Sequence, residues 1–146
     1  MSKQRIVVDA SVMVKWLRSE KEELLEHADK LLADFKQGTV ELYAPELSKY
    51  EVGNVLVKRK ILLDEAKASL SSYYNLPINF ISESKELAQK TYKFADELNI
   101  TYYDGAYLSL AEELDAILVT ENIKHLGKAK KVKVMPLSQY GAKDGK

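Results

Sequence analysis

Apolar positions fall along this chain in two rhythms: short unbroken runs, and longer stretches where they recur every three or four residues. The first run is Ile6-Val7-Val8, within Arg5 to Asp9. Consecutive β-branched residues mark a central strand buried on both faces, and this one ends in an acid. Residues 10–18 read as a short helix. A longer one follows over 20–37, with Leu24, Leu25, Ala28, Leu31, Leu32 and Phe35 on one face and Gly38 as its stop. Val40 to Ala44 reads as a second strand. Pro45 suits a first helical turn and opens a helix over about 46–60, and Asp64 is the expected N-cap of another to about 74. Ile78 to Ile81 is the third strand, and Ser82 or Ser84 caps a helix running to about Leu98. A further helix is expected from Asp104 to about Leu114, then a second buried-strand run over Ala116 to Thr120 and a last strand over Val132 to Leu137. Strands alternating with helices predict an α/β fold, a three-layer α/β/α sandwich with a mainly parallel central sheet. No repeat or linker divides the chain. One domain is expected over 1–137, and the polar tail 138–146 is expected to fray.

Composition narrows the chemistry. The 146 residues suit a single domain, and the absence of cysteine removes zinc fingers, iron–sulfur clusters and thiol nucleophiles. At 46% hydrophobic and 30% charged the chain is globular in type. Its apolar runs are far too short to span a bilayer and no signal peptide pattern opens it, so a cytoplasmic location is expected. Lys and Arg number 22 against 22 Asp and Glu, which argues against coating nucleic acid by bulk charge. Local handling stays open, because Lys124, Lys128, Lys130, Lys131 and Lys133 lie in a stretch with no acid.

In open parallel sheets ligands bind beyond the carboxyl ends of the strands, so acids there are the first candidates. Asp9 is one, with a helix N-cap as its alternative role. Glu51 lies inside a helix, on the border of the face formed by Leu47, Val52, Val55 and Leu56, with Asn54 and Lys58 beside it. A carboxylate turned toward a core costs several kcal/mol, of the order that pairing or a metal must offset; the alternative is an edge Glu that pairs with Lys58 or reaches solvent. Asp104 heads the helix bearing Tyr107, Leu108, Ala111 and Leu114, where it too suits an N-cap. Thr120-Glu121-Asn122 closes the Ala116 to Thr120 strand. Four such positions on one rim, with neither cysteine nor a promising histidine, point to a hard divalent cation, Mg²⁺ or Mn²⁺, held by oxygen. His27 in an amphipathic helix and His125 in a basic loop read as surface residues, and Trp16 as core or interface.

Taken in order and spacing, these segments are similar to a known family. Val7-Val8-Asp9-Ala10-Ser11, Pro45-Glu46-Leu47 through Glu51-Val52-Gly53-Asn54-Val55-Leu56, Tyr103-Asp104-Gly105-Ala106-Tyr107-Leu108 and Ile117-Leu118-Val119-Thr120 together resemble the PIN-domain ribonucleases, and among them the small toxins of VapC type. The resemblance implies that Asp9, Glu51 and Asp104 are catalytic, metal-binding acids, with Ser11, Asn54 and Thr120 as polar supports. It places Asn122 where the family usually has a further acid, which lowers the count from four carboxylates to three. It implies metal-assisted hydrolysis of RNA phosphodiester bonds that leaves a 5′ phosphate, with an antitoxin protein and a homodimer as partners. An antitoxin tail would set a basic side chain among the three acids. Flanking phosphates would meet Lys15, Arg18, Lys49, Lys58 or Lys124, and Tyr102, Tyr103 or Tyr107 would stack a base or join the core. Asn122 also keeps open a weakened module that binds RNA or a protein without cutting. A phosphoacceptor role for Asp9 fits poorly, since Ala10 and Ser11 follow it where a second acid is needed.

Overall fold

Ile6, Val7 and Val8 are buried completely because their strand runs through the middle of a sheet covered on both sides. The computed structural model describes residues 3–17 and 24–141. In chain order the elements are β1 (Gln4–Val8), α1 (Ala10–Leu17), α2 (Leu25–Lys36), β2 (Val40–Pro45), α3 (Leu47–Lys58), α4 (Leu63–Tyr74), β3 (Asn79–Ile81), α5 (Lys85–Leu98), α6 (Tyr102–Leu114), β4 (Ile117–Thr120), α7 (Ile123–Leu126) and β5 (Val134–Pro136), with a 3₁₀ turn over Leu137–Gln139. The five strands lie in the order β3-β2-β1-β4-β5 and every pairing is parallel. Ile6 pairs with Leu42 on one side and with Ile117 on the other.

Side chains alternate across a strand, so β1 feeds two cores. Ile6 and Val8 join Val12 and Met13 of α1, Ala28 and Leu31 of α2 and Val52 of α3. Val7 points the other way, among Leu87 and Phe94 of α5 and Tyr107, Leu108 and Leu110 of α6. This is the three-layer sandwich expected from the alternation of elements. Strand order reverses between β1 and β4, and that switch point opens a crevice at their carboxyl ends. Asp9 closes β1 there, with its backbone N–H bonded to the carbonyl of Val119 at 3.1 Å, and Thr120 closes β4.

On the far side, α5 and α6 approach closely at Gly105, where an added Cβ would come within 2.7 Å of the Thr91 carbonyl oxygen. Thr91 and Ser109 bond across this buried crossing at 2.6 Å.

Boundaries differ from expectation in a few places. The helix expected to begin at Asp104 begins at Tyr102, because Thr101 caps it by accepting the Asp104 backbone N–H at 3.0 Å. Asp64 is not a cap but lies in the first turn of α4, after Leu62 in extended conformation. Helix 20–37 is seen as α2 from Leu25, with 20–23 outside the described residues. The turn α7 was not foreseen. Of the tail expected to fray, residues 138–141 are described, and they pack as far as Tyr140, whose hydroxyl donates to Asp34 Oδ2 at 2.6 Å. His27 Nδ1 bonds the Tyr140 carbonyl at 2.8 Å, and Trp16 Nε1 bonds the Ala28 carbonyl at 2.8 Å, so both rings serve the fold. Among the described residues no helix is long and apolar enough to cross a membrane.

Candidate metal centre

Asp9 is only 8% exposed, yet it is a carboxylate at the mouth of the switch-point crevice. Its Oδ2 accepts the hydroxyls of Ser11 at 2.9 Å and Thr120 at 2.5 Å. The same hydroxyl oxygens accept from the next turn: Glu121 N–H reaches Ser11 Oγ at 3.2 Å and Asn122 N–H reaches Thr120 Oγ1 at 2.8 Å. Two strand ends and the loop after β4 are thereby tied to one carboxylate. Asp104 arrives from α6, where capping by Thr101 leaves its own side chain free of the capping role considered for it. Asn122 donates its amide to Asp104 Oδ1 at a long 3.5 Å. Glu51 comes from α3 and accepts a 2.6 Å hydrogen bond from the hydroxyl of Tyr107, one turn after Asp104 on α6.

Charge at this rim is poorly compensated. Burial pushes the Asp9 carboxyl above its ordinary range, against the hydroxyls of Thr120 and Ser11 and the Ala10 N–H, and the charge of Asp104 pushes the same way. Glu51 is raised first by burial and then by the charges of Asp9 and Asp104, while the Tyr107 hydroxyl opposes the shift. The Tyr107 phenol is pushed well up by burial and by the charges of Asp9 and Glu51, so it stays a proton donor to Glu51 at neutral pH.

Three mutually repelling carboxylates with oxygen-bearing neighbours fit a hard divalent cation, which would lower the energy of their charged forms. Their present geometry is looser than a finished site. Among the described residues no three acidic or histidine side chains stand close enough together to hold an ion. The acids share a rim and feel one another's charge, with Glu51 turned to Tyr107 and Asn122 presenting an amide N–H to Asp104.

The basic positions separate into two kinds. Lys15 is 5% exposed and its amine lies 3.1 Å from Oε1 of the exposed Glu121, a pair bracing the loop after β4, so the lysine is not placed on the rim to meet a phosphate. Lys49 pairs with Glu46 at 3.1 Å and lies over the rings of Tyr74 and Phe80 at 4.8 and 4.6 Å. Lys58 and Lys124 are exposed, as is Asn54, and Arg18 lies outside the described residues. A cleft of about 330 Å³ beside Asp104 is lined by Asn99, Ile100, Thr101 and His125, which brings that histidine nearer the acids than its sequence position suggested.

Sequence reasoning missed two positioning residues. Thr101-x-x-Asp104 is a capping pattern that was there to be read. Tyr107 as a brace for Glu51 had no local signal, because the two are 56 residues apart. Tyr107→Phe is expected to weaken Mn²⁺ binding or activity by about 10- to 100-fold, the usual effect of losing a partner that orients a ligand. Calorimetric Mn²⁺ titration beside a thermal melt checks this, and unchanged affinity in a folded variant would reduce Tyr107 to packing.

Comparison with known proteins places the chain in a family. The PIN domain family model matches residues 6–131. Ribonuclease VapC1 of Mycobacterium tuberculosis is 37% identical over 82 residues, which are 53% of this chain and 59% of that protein, so the chain spans well under two thirds of this relative. The structure of VapBC2 from Rickettsia felis bound to a DNA fragment from its promoter superposes with a TM-score of 0.70 at 17% identity, covering 91% of this chain and 98% of that one. A toxin–antitoxin complex from Klebsiella pneumoniae gives 0.67 at 14% identity, covering 90% and 97%. With a family model matched from residue 6 to residue 131, well over half of its length, this chain belongs to the PIN domain family.

Proposed function

We propose that the protein is a VapC-like endoribonuclease that depends on Mg²⁺ or Mn²⁺, with Asp9, Glu51 and Asp104 as its catalytic acids. The observation that carries this reading is that three carboxylates from three separate elements share the rim at the strand-order reversal, Asp9 raised by burial and by the charge of Asp104, and Glu51 raised by burial and by the charges of Asp9 and Asp104. Asp9, Glu51, Asp104 and Asn122 would hold the cation, which when bound activates water and offsets charge building on the phosphate. Ser11 and Thr120 fix the Asp9 carboxylate, Tyr107 fixes Glu51, and the Lys15–Glu121 pair holds the loop that carries Asn122. Exposed Lys58 and Lys124 would take flanking phosphates. The expected products are a 5′ phosphate and a 3′ hydroxyl. Such an enzyme would act in the cytoplasm on RNA and be restrained by a cognate antitoxin, a partnership supported by the toxin–antitoxin complex among its structural neighbours. Exposed Val57, Leu62 and Leu63 at the junction of α3 and α4 supply apolar surface for a homodimer.

The test is cleavage of labelled single-stranded and structured RNAs with Mg²⁺ or Mn²⁺, beside EDTA and Asp104→Asn. Metal-dependent cutting that the variant loses is the expected result. Absence of cutting in a folded sample free of bound antitoxin would favour a module that binds without cleaving. The open arrangement of the acids and Asn122 are the observations on that side.

A further inference from the structure

Two tyrosines stand out in the solvent beside the acids. Tyr50 is 83% exposed and Tyr103 61% exposed, and each is the chain neighbour of a rim carboxylate, Glu51 and Asp104 respectively. Between them lies a cleft of about 430 Å³ lined by Leu47, Tyr50, Glu51, Asn54 and Tyr103. Residues 47, 51, 54 and 58 are spaced four, three and four apart, so on α3 they form one stripe. That stripe runs from apolar Leu47 through the carboxylate of Glu51 and the amide of Asn54 to the exposed amine of Lys58. Tyr103 comes from the first turn of α6 and closes the opposite side.

We propose that this cleft is a base-binding subsite, in which Tyr50 and Tyr103 stack an unpaired nucleobase of the strand whose phosphate lies at the carboxylates. It rests on the nuclease reading and adds to it the form of RNA accepted. Each part of the cleft matches a part of a nucleotide. The aromatic faces suit a base, the Asn54 amide offers both a donor and an acceptor to a base edge, and Lys58 one turn along suits the next phosphate. Glu51 belongs at once to the cleft and to the rim of acids, so an occupant of the cleft is continuous with the reacting strand. That continuity favours RNA over a protein side chain as the occupant. A base inside a duplex is already stacked and paired and has no free face to give, so the cleft selects a single-stranded or looped segment.

Binding of a fluorescein-labelled 12-nucleotide single-stranded RNA and of its duplex, followed by anisotropy in an Asp104→Asn background, tests the proposal. Steady-state cleavage of the single strand in the Asp104 protein accompanies it. The single strand is expected to bind more tightly than the duplex. Tyr50→Ala and Tyr103→Ala should each weaken its binding and raise KM by about fivefold or more, the scale of one lost base–aromatic stack, while phenylalanine at either position restores binding. Mn²⁺ affinity by calorimetry should stay unchanged in all four. Equal affinity for duplex and single strand, or alanine variants that bind RNA like the parent, would overturn the cleft. So would alanine variants whose only change is a lost dimer in sedimentation, since the tyrosines would then be a protein interface. A parent that cuts RNA normally while these outcomes fail sinks the cleft alone, whereas a parent that never cuts RNA sinks the nuclease reading first.

Discussion

Asp9→Asn is expected to lower RNA cleavage by roughly three orders of magnitude, the scale of losing one preorganised electrostatic group, and at the same time to raise the melting temperature of the metal-free protein at neutral pH. Both effects come from one cause. The carboxylate is buried, and burial pushes its pKa above the ordinary 3.8, with Asp104 adding repulsion. A carboxyl that is harder to ionise in the fold than in the unfolded chain makes the folded state bind more protons between the two pKa values. Its contribution to stability is therefore greatest below 3.8, falls as pH rises through the higher folded value, and stays lowered above it. Glu51, also raised by burial, adds a fall of the same sign. Asparagine keeps an oxygen for the Ser11 and Thr120 hydroxyls but carries no charge, so its benefit should grow with pH. Thermal melts in EDTA from pH 4 to 8 measure this. A variant less stable than the parent at pH 8 would show that Asp9 serves the fold as a cap. Adding Mn²⁺ should reverse the order, because an ion that binds only the folded parent stabilises it by mass action.

Gly105→Ala is expected to cost about 1 to 2 kcal/mol of stability and about a hundredfold in cleavage, although residue 105 bears no functional group. Alanine in a helix gains about 1 kcal/mol over glycine, and overpacking a tight site costs about 1 to 3 kcal/mol, so the contact decides the sign. Here the new methyl would sit 2.7 Å from the Thr91 carbonyl oxygen, which belongs to backbone and cannot rotate away. Helix α6 must then back off from α5, and its first turn carries Asp104 and Tyr103. A displacement near 1 Å in a catalytic group can cost about 100-fold. Gly53→Ala is the control: nothing lies within 4 Å of its added Cβ, so a gain of about 0.5 to 1 kcal/mol is expected there. Melting curves and cleavage rates check both, and a Gly105→Ala protein with parental values in each would show that the two helices have slack.

The sandwich was legible because Ile6-Val7-Val8 and Ile117-Leu118-Val119 are central strands whose burial on both faces leaves no polar alternation, and the helices between them keep the spacing of a half-buried face. The rim positions were legible for a related reason: a parallel sheet delivers strand ends to one edge, so Asp9 and Thr120 had to be neighbours once β1 and β4 were adjacent. What escaped was set by contacts between distant segments. The cap at Thr101 moved the start of α6, Lys15 turned to Glu121 when it had been expected to meet a flanking phosphate, and Tyr140 closed on Asp34 across 106 residues. How near the acids stand to one another was beyond reach as well. It depends on rotamers held by Tyr107 and Asn122, and no spacing in the sequence records them.

The sheet's two margins are its shortest strands, β3 and β5, with three residues each, and β5 ends in Pro136, which has no N–H to offer. Such borders give an incoming chain little ladder to extend. Growth by strand addition is thus disfavoured at both ends, and the exposed Val57, Leu62 and Leu63 leave the junction of α3 and α4, a helical surface, as the apolar face open to a second chain.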